Sequence, residues 1–415
     1  MSKTSWGNLM YSCDDISSKA KNLSDINREA DIANDWLRCC ALPLWSGIGF
    51  DRDKQSFHEQ LDFSLSPLAS QRRVMVQARQ IVVFSAAYLN GDCHAGKELA
   101  LCAVESMLQN YEDCEGRGGF VFSIDPRTGQ LDDRRDLYAH AFVLFSLAWV
   151  LRLENRQSFK DAIERTLSFL ELHLSDSVRG GYWDSMPRLD NKRSQNPHMH
   201  LLEAFIALYE TTGERRFLDL SRQLRDLAVT KFLNLETGSL CEYFTDDWTV
   251  YPSLDKGIVE PGHLFEWSWL LSRFWSLSGE DQSLPIRSMM MRALKSGFSN
   301  DEGRIIDQID EQGRSLLKTS RSWPHTEALK ALTSISIIKP SVQNQLVANI
   351  LQRLKNNYCP DDLKGGWYDQ LNEDDVSVRP NIPASTLYHI YFGITAVKQF
   401  VDKGLTYEFT PGDVQ

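Results

Sequence analysis

Along most of this chain, apolar residues recur at steps of three and four, which is the spacing of helices that bury one face. Between these helical segments lie short runs in which hydrophobic and polar residues alternate, as they do in strands. The pattern predicts helices over residues 22–43, 70–89, 94–112, 134–152, 157–174, 197–212, 215–232, 262–278, 283–298, 322–336, 341–356 and 385–402.

A glycine turn precedes every second predicted helix. The turns recur at intervals of about 57 to 70 residues, and aromatic or aliphatic residues follow each of them. They lie at residues 49–51, 118–122, 180–184, 238–243, 303–307 and 365–369. Helical hairpins that cannot bury their apolar faces alone predict an all-α fold, an (α/α)6 barrel with six inner and six outer helices. The alternating runs predict short strands or hairpins at one end of it.

The length of 415 residues fits a single closed barrel. We expect one catalytic domain over residues 22–403, an N-terminal arm over 1–21 and a C-terminal tail over 404–415. The arm lacks the apolar core of a signal peptide, and no apolar run approaches the length of a membrane span. We therefore expect no membrane partner.

The charge balance argues against a nucleic-acid partner. The net charge is −11 and the isoelectric point is near 5.4, whereas phosphate backbones are bound by clustered lysine and arginine. The eight cysteines form no CxxC pair, which is typical of reduced thiols in a cytoplasmic protein. No phosphate loop or dinucleotide fingerprint is present, so we expect no cofactor. A monomer and a homodimer both remain open.

Six of the nine histidines lie on helices that directly follow a glycine turn. Most of them fall within the first two turns of these helices, so they are expected to gather at one end of the inner ring. Such a convergence is typical of a ligand pocket. The six are His140, His198, His200, His263, His325 and His389.

Helical spacing separates the histidines that can share a cavity from those that cannot. Asn196, His200 and Glu203 follow positions i, i+4 and i+7, so they lie on one helix face. His198 is rotated about 200° away from His200 and is expected to pack elsewhere.

The same reasoning applies to the helices that follow. Trp323 and Glu327 lie four residues apart and can both face the pocket, which leaves His325 peripheral. His263 and Glu266 are i, i+3 neighbours and form a candidate acid/base pair. No HxxxH or HExxH motif lies on one face, so we expect no catalytic metal.

Several segments carry a family resemblance. QNPHMHLLEAF, EPGHLFEWSWLL, SWPHTEALKA and PASTLYH, together with YAHAFVLFSLA at 138–148 and QARQIVVF at 77–84, resemble the N-acylglucosamine 2-epimerase superfamily. That superfamily includes sugar 2-epimerases and mannose-type aldose–ketose isomerases. The resemblance extends from about residue 30 to residue 402 and stays in register with all six repeats.

The resemblance implies roles for individual residues. It identifies His263 and His389 as the two catalytic histidines. One position departs from the family pattern, since His325 stands where relatives usually carry glutamine. The implied monosaccharide contacts, to which the shared helix face adds Glu203, are Arg79, Tyr138, Asn196, His200, Glu203, Glu266, Trp323 and Glu327.

These residue types suit proton transfer through an enediol. A neutral imidazole can remove the proton at carbon 2 of an open-chain sugar near pH 7, and an arginine can stabilise the enediolate. We predict His389 as that base and His263, oriented by Glu266, as the acid for ring opening; the two roles could be exchanged. The best prediction is a D-mannose and D-fructose isomerase. The alternatives are a 2-epimerase of N-acylglucosamine or another aldose, an (α/α)6 glycoside hydrolase and a non-catalytic sugar-binding protein.

Overall fold

The computed structural model describes residues 23–251, 257–298 and 303–404. Within these ranges, twelve helices of at least 12 residues alternate between an outer and an inner ring. The outer helices are α1 (Leu23–Trp36), α3 (Gly96–Tyr111), α5 (Gln157–Phe169), α7 (Arg215–Leu227), α9 (Ser283–Ser296) and α11 (Pro340–Arg353). The inner helices are α2 (Val74–Leu89), α4 (Leu137–Leu153), α6 (Gln195–Thr212), α8 (Pro261–Ser278), α10 (Trp323–Ser334) and α12 (Leu387–Lys403).

The inner ring is closed. Each inner helix packs against the next one, and α12 packs against both α2 and the first outer helix α1. The predicted (α/α)6 barrel is therefore confirmed. The predicted arm at 1–21 and residues 405–415 of the predicted tail lie outside the described residues. Along the helices that are described, no stretch is both long and apolar enough to span a bilayer.

Shorter helical pieces extend the outer ring. Helices α1, α5, α7 and α11 each continue into a π-helical turn of five residues. These turns cover Leu37–Ala41, Leu170–Leu174, Ala228–Phe232 and Leu354–Tyr358. A short helix at Leu42–Ser46 and 3₁₀ turns at Asp361–Leu363 and Ala384–Thr386 complete the helical elements of the described chain.

Short strands lie at the N-terminal ends of the inner helices. The strands are β1 (Phe50–Asp51), β2 (Ser56–Phe57), β3 (Gln60–Asp62), β4 (Arg72–Arg73), β5 (Ser123–Ile124), β6 (Leu131–Asp132), β7 (Arg135–Asp136), β8 (Ser185–Met186), β9 (Arg193–Ser194), β10 (Leu233–Asn234), β11 (Ser239–Leu240), β12 (Tyr243–Phe244), β13 (Ile258–Val259), β14 (Gln308–Asp310), β15 (Ser315–Leu317), β16 (Ser320–Arg321), β17 (Gln370–Leu371) and β18 (Asn381–Pro383). The strand before each inner helix pairs antiparallel with a strand of the next repeat, in the pairs β4–β5, β7–β8, β9–β12, β13–β14, β16–β17 and β18–β3. The last of these pairs joins the sixth repeat to the first and closes the circle.

Buried histidines link three inner helices to the preceding glycine turns. His140 Nδ1 donates to the Asp136 carbonyl at 2.7 Å, and its Nε2 accepts the Phe120 N–H at 2.9 Å. Gly119 has a φ of +67°, and a Cβ there would lie 2.7 Å from His140 Nε2. Glycine is therefore needed both for the turn and for the approach of the ring. We call this two-bond arrangement a histidine clamp.

His198 and His325 form the same clamp in two other repeats. His198 bonds the Ser194 carbonyl at 2.8 Å and the Tyr182 N–H at 2.9 Å. His325 bonds the Arg321 carbonyl at 2.9 Å and the Ile305 N–H at 3.1 Å. Both rings are fully buried and turned toward the strand layer. The predictions that His198 packs elsewhere and that His325 lies outside the pocket are thus confirmed.

Candidate active site

Ionisable side chains of the inner helices gather toward the N-terminal ends of these helices, inside the strand layer, and we call the space that they border the cavity. Inner helices are buried on nearly all sides, so ionisable groups on them must face one another or a ligand. Histidines come from three of these helices, His200 from α6, His263 from α8 and His389 from α12.

His389 is held by a carboxylate on α10. Its Nδ1 lies 2.8 Å from Glu327 Oε1, and the Lys330 ammonium lies 2.7 Å from Glu327 Oε2. Burial, together with the charges of Arg79 and Lys330, lowers the pKa of His389 well below its usual value. His389 is therefore neutral. With its Nδ1–H donating to Glu327, the lone pair is on Nε2.

His263 has the opposite protonation state. Its Nδ1 lies 2.8 Å from Glu242 Oε1 and 3.8 Å from Glu260 Oε2. Burial alone would lower the pKa of His263, but the surrounding carboxylates, Glu242 above all, more than offset it and raise the pKa to about 9. The imidazole is therefore cationic at neutral pH and can donate a proton.

The partner of His263 differs from the predicted one. The i, i+3 spacing paired His263 with Glu266, whereas the hydrogen bond goes to Glu242, between β11 and β12. Gln195 fixes this carboxylate by donating from Nε2 to Glu242 Oε2 at 2.9 Å, and Trp267 Nε1 donates to Gln195 Oε1 at 2.5 Å. Glu266 faces His200 instead, with 4.0 Å between Oε1 and Nδ1.

Glu242 belongs to a periodic set of carboxylates. In five repeats an acidic side chain near the glycine turn bonds the chain just before the next inner helix. Four of these carboxylates accept a backbone N–H: Glu59 from Arg73 (2.9 Å), Asp184 from Ser194 (3.1 Å), Glu242 from Glu260 (3.4 Å) and Asp307 from Arg321 (2.8 Å). The fifth, Asp369, accepts from the hydroxyl of Thr386 (2.6 Å). Glu242 has this structural role and in addition bonds His263.

Trp323 lies between the two catalytic candidates. Its ring centroid is 4.9 Å from that of His263 and 5.5 Å from that of His389, with interplanar angles of 37° and 39°. The indole is half-buried at the first position of α10. A flat apolar face between two imidazoles suits the C–H face of a sugar ring.

Arg79 and Tyr138 also come together, as the resemblance implies. The Arg79 guanidinium bonds the Tyr138 hydroxyl and donates to the Ser385 carbonyl at 3.2 Å. Its Cζ lies 4.2 Å from the centroid of the Phe142 ring. Arg79 Nε is buried without a hydrogen-bond partner among the described residues, so this fixed cation retains a donor. The Tyr138 ring contacts that of His200 at 5.0 Å.

Deeper in the cavity, Glu203 and Glu266 differ in their partners. Glu203 accepts from His200 Nδ1 at 3.0 Å and from the Tyr388 hydroxyl. Neither oxygen of Glu266 has a hydrogen-bond partner within the described chain. Burial and the charge of Glu327 raise the pKa of Glu266 well above its usual value. This favours the protonated form of Glu266, which is a hydrogen-bond donor.

The cavity contains metal-type donor atoms but also its own cation. Two triplets, His200/Glu203/Glu266 and Glu266/Glu327/His389, have nitrogen and oxygen atoms within 4.8 Å of one another. The Lys330 ammonium already forms an ion pair with Glu327, one of these carboxylates, and its charge acts on all three of them. We therefore assign no metal ligands in this cluster.

The structure thus brings nine predicted site residues into one contact network: Arg79, Tyr138, His200, Glu203, His263, Glu266, Trp323, Glu327 and His389. Asn196 lies on α6 one turn before His200, with Oδ1 buried and unpaired among the described residues. His140, His198 and His325 lie outside the network, in the clamps.

Sequence reasoning missed Glu242 and Lys330. A signal existed for each of them. An acidic residue accompanies most of the glycine turns, and Glu242 is the one in the fourth turn. Trp323, Glu327 and Lys330 follow positions i, i+4 and i+7, the spacing that correctly grouped the residues of α6.

Comparisons with known proteins give a consistent result. A model of the N-acylglucosamine 2-epimerase family matches residues 57–393. The chain is 32% identical to a mannose-6-phosphate isomerase of Rhizobium meliloti (strain 1021) over 384 residues, which cover 89% of this chain and 97% of the relative. It is 26% identical to a cellobiose 2-epimerase of Bacteroides fragilis over 291 residues, or 64% of this chain and 72% of the relative. A crystal structure of D-mannose isomerase has the same fold, with a TM-score of 0.79 at 21% identity over 89% of this chain and 97% of that one. The match over residues 57–393 shows that this chain belongs to the N-acylglucosamine 2-epimerase family.

Proposed function

We propose that this protein interconverts a free aldose and its ketose, with D-mannose and D-fructose as the pair. The observation that carries the proposal is a pair of buried histidines on the two sides of the Trp323 ring, each bonded to its own carboxylate. Their surroundings shift the two pKa values in opposite directions, upward for His263 and downward for His389. Environments that push two pKa values apart mark an acid and a base. The family and the relatives named above are sugar isomerases and epimerases, and this chemistry needs such a pair.

The neutral histidine acts on carbon. In the open-chain sugar, the carbonyl at carbon 1 acidifies the proton at carbon 2, and His389 Nε2 removes it to form an enediolate. The proton held on Nε2 exchanges with solvent, and transfer from Nε2 to carbon 1 then completes the ketose. Glu327 holds Nδ1 throughout, so the ring keeps its tautomer and its orientation.

The cationic histidine acts on oxygen. His263 opens the pyranose by donating a proton to the ring oxygen and taking one from the hydroxyl at carbon 1. It then donates this proton to the carbonyl oxygen at carbon 1 as charge develops there. It takes a proton back from the oxygen at carbon 2 when the ketose forms. Arg79 supports the charged oxygens as a fixed donor that requires no reorganisation.

The test is incubation with D-mannose in deuterated water, followed by NMR. Fructose labelled at carbon 1 is the expected product. Replacing His263 or His389 by alanine should abolish conversion while the helical circular dichroism stays unchanged. Fructose formation by His389→Ala would contradict the assignment of the base.

A 2-epimerase is the second candidate, because the same pair of histidines can return the proton to the opposite face of carbon 2. One relative is named a cellobiose 2-epimerase. In the same experiment, glucose labelled at carbon 2 identifies this activity. Another relative is named a mannose-6-phosphate isomerase, so the 6-phosphate is assayed in parallel with the free sugar.

The glycoside hydrolase alternative requires carboxylates that are free to act on the substrate. Three carboxylates here are bonded to histidines, in the pairs Glu203–His200, Glu242–His263 and Glu327–His389. Glu266 has no such partner among the described residues, but glycoside hydrolysis requires a pair of carboxyl groups. This arrangement supports chemistry carried by imidazole. Release of a monosaccharide from an oligosaccharide would favour hydrolysis instead.

A further inference from the structure

Lys330 is a buried cation to which the mechanism above gives no part. Its side chain is 2% exposed on α10. Burial lowers the pKa of Lys330, but the charges of Glu327, Glu266 and Glu203 more than offset this, and the net shift is upward. A buried ammonium stabilises a fold no better than a well-packed apolar residue does, because desolvation opposes the ion pair. Its place beside a catalytic histidine therefore suggests a role in the chemistry.

The geometry connects Lys330 to His389 through one carboxylate. Lys330 Nζ lies 2.7 Å from Glu327 Oε2, and Glu327 Oε1 lies 2.8 Å from His389 Nδ1. The Trp269 ring on α8 supports the ammonium, with its centroid 3.9 Å from Nζ. The ammonium, the carboxylate and the imidazole thus form a continuous chain whose free end is His389 Nε2.

We propose that Lys330 is a positioning residue for the base, because it anchors the Glu327 carboxylate that holds His389. Its positive charge also lowers the pKa of His389. The proposal rests on the proposed function for its kinetic readout. Removal of the ammonium leaves a carboxylate cluster with less positive charge, and protonation of His389 then becomes more favourable.

Other charged groups face His389 and set the background for this effect. Arg79 on α2 and His200 on α6 disfavour its protonation, and Glu203 on α6 favours it. Two carboxyl groups, Glu327 on α10 and Glu266 on α8, border the same space. A variant at Lys330 changes one positive charge and leaves all of these groups in place.

The test compares four variants with the wild type. In Lys330→Met we expect the acid limb of kcat/KM for sugar conversion to move to higher pH by about one unit. Lys330→Gln retains a donor for Glu327 but lacks the charge. If Lys330→Met does not fold, Lys330→Gln should show the same shift of the acid limb. Lys330→Arg keeps the charge, and its acid limb should stay at the wild-type position.

The matched control is Arg353→Met. Arg353 on α11 is also a buried cation, but its partner is Asp375, away from the cavity. Its loss perturbs the fold without changing the charge near His389, so the acid limb should not move. An equal shift in Arg353→Met, or a drop in kcat/KM in Lys330→Met by the same factor at every pH, would overturn the proposal.

A second readout does not depend on turnover. NMR titration of ¹⁵N-labelled histidine should show His389 taking up its proton at higher pH in Lys330→Met than in the wild type. A wild-type protein that converts none of the sugars would refute the proposed function, and the titration would still test Lys330. An unshifted His389 signal in an active enzyme would refute only the role of Lys330.

Discussion

The histidine clamps should make the fold sensitive to acid. In the folded state, burial lowers the pKa of His325 to about 3, against about 6.5 in an unfolded chain. Below pH 6.5 the unfolded chain takes up a proton that the folded protein does not, so stability is lost as the pH falls. The loss continues until the pH reaches the folded-state pKa.

The size of this loss follows from the two pKa values. Between pH 7.5 and pH 5.0, His325 alone should cost about 2 kcal/mol of unfolding free energy, since each pH unit below 6.5 contributes about 1.4 kcal/mol. His140 and His198 are clamped in the same way, with pKa values lowered by burial to about 4 and about 3. They should contribute similar amounts.

His325→Gln isolates one clamp. Glutamine does not titrate, and it can accept the Ile305 N–H as Gln77 accepts the Phe57 N–H, at 2.8 Å, in the first repeat. Urea unfolding at pH 7.5 and pH 5.0 should therefore show that the variant loses about 2 kcal/mol less than the wild type over this interval. The exposed His173→Gln serves as the control and should follow the wild type. Parallel losses in His325→Gln and the wild type would refute the reasoning.

Three further predictions concern the cavity. Above about pH 9, kcat/KM should fall as His263 loses its proton. Glu242→Gln should move this basic limb to lower pH by at least about one unit, because it removes the main charge that raises the pKa of His263; a pH profile of kcat/KM measures both, and an unmoved limb would exclude Glu242 as the partner. Arg79→Lys should lower kcat/KM about 100-fold with unchanged circular dichroism, since it replaces a fixed donor at the enediolate; wild-type kinetics would remove Arg79 from the mechanism. Extended dialysis against EDTA should leave full activity, whereas a loss that one divalent ion restores would establish a metal site.

The helices could be predicted from the sequence because their apolar residues recur at helical spacing. The outer helices bury one apolar stripe, and the inner helices are buried on nearly all sides. The predicted helix at 215–232 coincides with α7 and its π turn, and most other bounds differ by a few residues. The pairing of strands between repeats could not be predicted. Pairs such as β18–β3 join segments more than 300 residues apart, and two- or three-residue strands carry too little pattern to specify a partner.

Within the site, helical spacing indicated which side chains share a face, but it did not identify every partner. The shared face of Asn196, His200 and Glu203 follows from helical geometry alone, and His200 Nδ1 lies 3.0 Å from Glu203 Oε2 in the structure. The partner of His263 comes from a strand-layer segment distant in sequence, so local spacing selected Glu266 in place of Glu242. The six histidines on inner helices form two groups, three that border the cavity and three in the clamps. Side chains two residues apart on a helix point about 200° away from each other, so His198 and His200 face opposite sides of the same helix.

The site uses structural parts of the repeat for chemistry. A carboxylate near the glycine turn holds the chain before the next inner helix in five repeats, and in four of them it has no catalytic histidine to hold. In the fourth repeat His263 lies at the third position of α8, within 2.8 Å of that carboxylate. The proposed acid therefore lies where a helix-positioning carboxylate meets an imidazole. The proposed base lies within the inner ring, with Glu327 and Lys330 on one helix and His389 on the next. Because the two histidines draw on separate supports, their protonation states can be set independently, and one cavity can present both an acid and a base.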